Sequence, residues 1–260
     1  MVISMETKEF LSHEIPVTQV HIQSEQVAVA LGKRCGLYVT LETGPLKQIV
    51  FFENVCACLA DQLYPLLEPY FGKPLCVCGV GNQTVPHDAL GPEVAKRFQP
   101  KAYESFSERS NFERVSVICP GVGALTNLST EAIISSVAEG MGAACVLTID
   151  ASACKDVKRL CSTIQLSSSG MQTYQGAVDL SQATLGIPVV SITVPTAIRA
   201  ADLSVKENID PELFFTPLHI QDSINAASFI IACAVAQVAY PDLDYESCKM
   251  YINLFLHGVA

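Results

Sequence analysis

Four apolar residues, Leu75 to Cys78, run straight into Gly79-Val80-Gly81-Asn82, and Pro92 then opens a stretch with Val94, Ala95 and Phe98 at helical spacing. The apolar run suits a buried strand. The glycines and the asparagine suit a tight turn with unusual backbone angles, and proline's fixed φ suits the first turn of a helix. From Leu75 onward, strand-like and helix-like segments alternate. Val115 to Cys119, Ala144 to Ile149 and Pro188 to Val194 are the later apolar runs. This order predicts an α/β fold, a three-layer α/β/α arrangement with a mostly parallel central sheet. Ligands of such sheets bind outside the carboxyl ends of the strands. Asp88 lies in the loop after the first of these runs, and Asp150 ends the third.

Each aspartate has more than one reading. A phosphate cradle would need glycines leading directly into a helix, usually with a lysine. Here no lysine follows the glycines, and Val85 and Pro86 intervene. Asp88 on its own fits a loop or helix cap, and Asp150 fits the N-cap of a helix from about Ser152 to Cys161. If both strands lie close in one parallel sheet, the two carboxylates open onto the same edge. Paired carboxylates do not easily both ionise, so one pKa should rise and the other fall, giving one acid and one base. Spacing leaves these readings open. By the same polarity argument, Asn82, Gly123 and Thr196 should border the crevice and contact substrate, with His87 beside Asp88.

The segment G-N-Q-T-V-P-H-D-A-L-G-P strongly resembles the spore germination protease family, as do T-I-D-A-S-A, R-L-C-S-T-I-Q-L-S-S-S-G and L-S-Q-A-T-L-G-I-P-V-V-S-I-T-V-P-T. The match runs from Leu31 to Thr196, starting with A-L-G-K-R-C-G-L-Y-V-T-L-E, and continues more weakly in F-F-T-P-L-H-I. The resemblance implies a phosphorylase/hydrolase-like fold and an endopeptidase. It places Asp88 and Asp150 at the family's proposed catalytic aspartates, and its substrate class is the small acid-soluble spore proteins. Three features depart from the family. P-H replaces T-P before Asp88, Y-Q-G-A-V-D replaces a glycine-rich G-x-G-x-G-N, and the first thirty residues show no clear equivalent of the family's propeptide. Two alternatives follow. One is a non-catalytic relative that binds a peptide or protein in the same crevice. The other is a metal-assisted peptidase similar to the hydrogenase-maturation endopeptidases, which share G-x-G-N; His87 or His219 would then serve as ligand. A serine or cysteine nucleophile, Ser152 or Cys154, has no histidine placed to activate it.

Net charge and cysteine usage narrow the rest. At −10 the chain is not built for nucleic acid. No signal pattern begins it, and the apolar run Ala226 to Ala239 is too short to span a bilayer, so no membrane is expected. Eleven cysteines scattered over apolar runs fit reduced thiols in a cytoplasmic protein, in the spore core if the resemblance extends to location. Cys56, Cys58, Cys76 and Cys78 form two C-x-C pairs, but Cys56 and Cys58 sit on a helical stretch where i and i+2 diverge. Neither zinc nor another cofactor is expected. A single domain spans residues 1–260, and homo-oligomerisation is left open.

Along the chain, Ile15 to Ile22 reads as the first strand and Glu25 to Leu31 as a short helix. Gly36 to Glu42 reads as a half-buried strand. Gln48 to Tyr70 reads as a long helix kinked or split at Pro65. Ser129 should cap a helix to Met141. Ser162 to Leu166 reads as an edge strand, and Ser167 to Gln182 as a long loop. Ala197 to Ile209 should be helical at first. Gln221 to Ala239 and Tyr245 to Leu256 should close the chain as helices.

Overall fold

The computed structural model describes residues 5–172, 178–203 and 210–256, and of 255 and 256 the backbone alone. Met5–Ser12 (β1) and Ile15–Ile22 (β2) form an antiparallel hairpin. Glu25–Ala30 (α1) leads to Gly36–Glu42 (β3), and Phe52–Leu67 (α2) follows. Leu75–Gly79 (β4), Leu90–Arg97 (α3) and Pro100–Glu104 (α4) come next, then Val115–Ile118 (β5). Gly123–Thr126 (α5) and Thr130–Gly140 (α6) precede Cys145–Cys154 (β6). Thr163–Ser167 (β7), Met171–Gln172 (β8), Asp179–Leu180 (β9) and Gln182–Leu185 (α7) lead to Val189–Arg199 (β10). Phe214–Phe215 (β11), Ile220–Ala239 (α8) and Tyr245–Leu256 (α9) end the described chain.

The main sheet runs β1-β2-β3-β7-β10-β6-β4-β5, with β11 added against β10. Its core is parallel: β10 pairs β6, β6 pairs β4 and β4 pairs β5. Cys76, Val115, Val146 and Val190 stand on these four neighbouring strands, as the apolar runs predict. The half beyond β10 is antiparallel. The chain leaves β4 for β5 on one side and then returns to β6 on the other. The gap between the carboxyl ends of β4 and β6 is therefore the topological switch point of the parallel core.

Period-two alternation sends side chains to two cores. Leu75, Val77, Leu147, Ile149 and Ile192 face α2, α3 and α8. Cys76, Cys78 and Val146 face Ile134 and Ala138 of α6 and Leu185 of α7. α8 is buried nearly all round. At twenty residues it is long and apolar enough to cross a bilayer, longer than the run Ala226 to Ala239 indicates. Its burial among α2, α3 and the sheet makes it the core helix.

Several elements differ from the sequence reading. β6 does not end at Ile149, and no helix begins at Ser152. The strand runs to Cys154, because β10 pairs with it as far as Ile198 and that pairing overrides the weak strand propensity of A-S-A. β10 likewise passes Pro195 and Thr196 to Arg199 rather than turning helical at Ala197, with one 3₁₀ turn after it. The remainder of that segment, 204–209, lies outside the described residues. β7 is interior, between β3 and β10, rather than an edge. Pro65 does not split α2; it sits near the helix end on the exposed side, one turn after the exposed Asp61. Ser129 caps α6 as expected, accepting from the Ala132 N–H at 3.2 Å.

Candidate active site

Three glycines shape the loop after β4. A Cβ on Gly91 would stand 2.2 Å from the Val80 carbonyl and 2.4 Å from that of Ile149, so only glycine lets the start of α3 press onto the ends of β4 and β6. A Cβ on Gly79 would meet the Gly91 carbonyl at 2.2 Å. Gly81 has φ +125°, and a Cβ there would lie 2.1 Å from the Asp88 carbonyl and 3.5 Å from Oδ1 of Asp150. The loop therefore folds back on itself at Gly81 and brings Asp88 round to Asp150.

Asp88 does not cap α3, whose N-cap is Ala89. Its Oδ2 instead accepts the Asn82 N–H at 2.8 Å, closing the loop as a ring. Asn82 stiffens the same loop, its Oδ1 accepting from the Thr84 N–H at 2.9 Å and the Thr84 hydroxyl at 2.7 Å. Asp150 projects from β6 and is only 4% exposed. Its Oδ1 accepts the N–H of the next residue, Ala151, at 2.8 Å. It is not a helix cap either.

Both carboxylates line one crevice of about 330 Å³, with His87, Ser152, Thr196 and Phe214 in its wall. Burial drives the Asp150 pKa well above the usual carboxylate range, and the nearby Asp88 charge pushes it further; the Ala151 N–H opposes both. Burial also raises Asp88, but the Asn82 N–H and the His87 side chain hold it back. The pair therefore does not split into one raised and one lowered acid. Both rise, unequally: Asp150 is the more buried, takes the added push of the Asp88 charge and has one opposing N–H, while Asp88 is less buried and has two opposing partners.

The other expected positions divide. His87 lines the crevice, and its carbonyl accepts the Thr196 hydroxyl at 2.7 Å. Thr196 is 1% exposed at the bulge in β10. Asn82 sits behind Asp88, offering its backbone N–H rather than its side chain. Gly123 opens α5 after β5, two strands from β6, and is not part of the crevice wall. His219 precedes α8, also away from the wall. Among the described residues no group of three metal-ligating side chains comes together. Cys76 and Cys78 belong to one face of the sheet and Cys56 and Cys58 to the other, so the two C-x-C pairs are not one ligand set. Met171, Gln172 and Phe214 were not legible as wall residues. The Y-Q-G-A-V-D departure lies mostly outside the described residues.

A family model described as Germination protease matches residues 2–215. The germination protease of Clostridium tetani is 28% identical, the match covering 96% of this chain and 92% of that protein. The Clostridium perfringens germination protease is 27% identical over 94% of this chain and 90% of its own length. That of Bacillus licheniformis is 32% identical over 86% and 64% respectively. Among solved structures, a [NiFe] hydrogenase maturation protease, HycI of Thermococcus kodakarensis, aligns at 16% identity over 66% of this chain and 97% of its own, with a TM-score of 0.39.

Proposed function

We propose, from the premise that this chain belongs to the germination protease family, that it hydrolyses peptide bonds with Asp88 as base and Asp150 as acid. The family is one of peptidases, so a protein or peptide is the substrate. One observation carries the assignment of roles: two carboxylates share a crevice, and Asp150 is the more deeply buried of them.

In this reading Asp150, whose pKa burial and the Asp88 charge drive well up, is the carboxyl that carries the proton, and Asp88, less buried and with two opposing partners, is the carboxylate. Asp88 takes a proton from a water molecule whose oxygen attacks the scissile carbonyl carbon. Asp150 donates its proton to the carbonyl oxygen, which carries the developing charge. Collapse of the tetrahedral intermediate breaks the C–N bond. The proton held by Asp88 goes to the departing amine, and the intermediate's hydroxyl proton returns to Asp150. Water and one amide thus become a carboxylic acid and an amine, and both aspartates are restored.

The substrates we assign are small acid-soluble spore proteins, on the sequence resemblance over Leu31 to Thr196. The test is incubation of the purified chain with such a protein, read by mass spectrometry. Discrete cleavage that disappears in Asp88→Asn and in Asp150→Asn supports the reading. An intact substrate, or cleavage that persists in both variants, overturns it.

A further inference from the structure

β6 outruns its neighbour. β4 pairs with it no further than Gly79 opposite Ile149, yet β6 continues through Asp150 and A-S-A to Cys154. β10 keeps it company on the other side as far as Ile198. On the side that β4 vacates, no strand pairs with β6 past Ile149 among the described residues.

Orientation follows from the alternation of a strand. The Ile149 carbonyl accepts the Val80 N–H at 2.8 Å, so it points to the β4 side. The backbone groups of Ala151 and Ala153 then point the same way, and those of Asp150 and Ser152 point toward β10. The Ala151 N–H is held by Asp150, which leaves the Ala151 carbonyl and both groups of Ala153 facing the vacated side. These residues are small and partly open to solvent, and they line the same crevice as the two carboxylates. The crevice also continues past Ser152 and Ala153 into a polar recess of about 380 Å³ lined by Gln165, Ser167 and Thr193.

We infer that the substrate polypeptide binds as an extended strand added to β6 along Ala151–Ala153, where β4 has ended. Its backbone pairs with the Ala151 carbonyl and with Ala153, and alternate side chains point to either face, one toward the polar recess. One occupant fits, because the free edge begins at Ala151, directly after Asp150: a chain laid along it carries a peptide bond past both carboxylates. This inference rests on the peptidase reading of Asp88 and Asp150.

The test sets the full chain and its Ala153→Pro variant against a library of unstructured 12-residue peptides. Proline removes the Ala153 N–H, and extended backbone accepts its ring. For the peptide cleaved fastest, Ala153→Pro should raise KM by about 10-fold, the loss of one hydrogen bond, with kcat within about 3-fold. An unchanged KM overturns the inference. Hydrogen exchange on Asp150→Asn decides it independently, including when Ala153→Pro does not fold. Saturation with the tightest-binding library peptide should slow the Ala153 amide by at least about 10-fold, and an unprotected Ala153 amide contradicts strand addition. If the wild type cleaves nothing, the peptidase reading fails while the exchange experiment still judges the strand; if Asp150→Asn retains no peptide, the strand fails too.

Discussion

The Thr196 hydroxyl donates a 2.7 Å hydrogen bond to the His87 carbonyl, tying the bulge of β10 to the loop that carries Asp88. Thr196 is in turn held from outside, its own carbonyl accepting the Thr216 hydroxyl at 2.9 Å. Three chain segments thus fix where the Asp88 carboxylate stands relative to Asp150.

Thr196→Val removes that bond while keeping the shape, leaving the half-buried His87 carbonyl without this donor. We expect kcat to fall about 10-fold with KM within about 2-fold, since a positioning loss acts on the chemical step. Thr196→Ser should restore most of it. A loss confined to KM would show instead that the hydroxyl meets substrate.

Gly81→Ala puts a Cβ into the Asp88 carbonyl and forces a side chain onto φ +125°. Strain and overpacking should cost roughly 2–4 kcal/mol, measured by denaturant unfolding. Gly32, with φ +59° and open space around it, gives the comparison. Its alanine variant carries the backbone strain alone and should lose less.

Stability should reveal the buried acid. The native Asp150 pKa lies above its unfolded value, so between the two the folded chain binds a proton that the unfolded chain lacks. Stability from this group is complete below the unfolded pKa and is lost as pH rises through the native one. Asparagine imitates the protonated form at every pH. Asp150→Asn should therefore match the wild type near pH 4 and exceed its Tm by at least about 3 °C at pH 8. An advantage that shrinks as pH rises contradicts this assignment.

Much of this was legible in the sequence, for physical reasons. Buried parallel strands need continuous apolar runs, so Leu75 to Cys78 and Ala144 to Ile149 announced β4 and β6. Asp150 was visible as the residue that ends such a run, and Asp88 as the aspartate in the glycine loop that follows one. The lengths of β6 and β10 were not, because A-S-A and V-P-T extend only through mutual pairing. β1 was missed because almost every residue in it is exposed. Its turn gave no signal either: His13 and Glu14 both adopt positive φ, at 50° and 67°, where glycine or asparagine would usually stand. Gly123 was misplaced because strand polarity alone does not say how many strands separate two loops.

The most direct test of the central claim is single-turnover cleavage of a small acid-soluble spore protein by four chains: wild type, Asp88→Asn, Asp150→Asn and the double variant. A pair acting as one unit predicts that each single change lowers the rate by about 100-fold or more, and that the double variant is little worse than either single one. A single variant retaining the wild-type rate, or losses that simply multiply in the double variant, would contradict an Asp88–Asp150 acid–base pair.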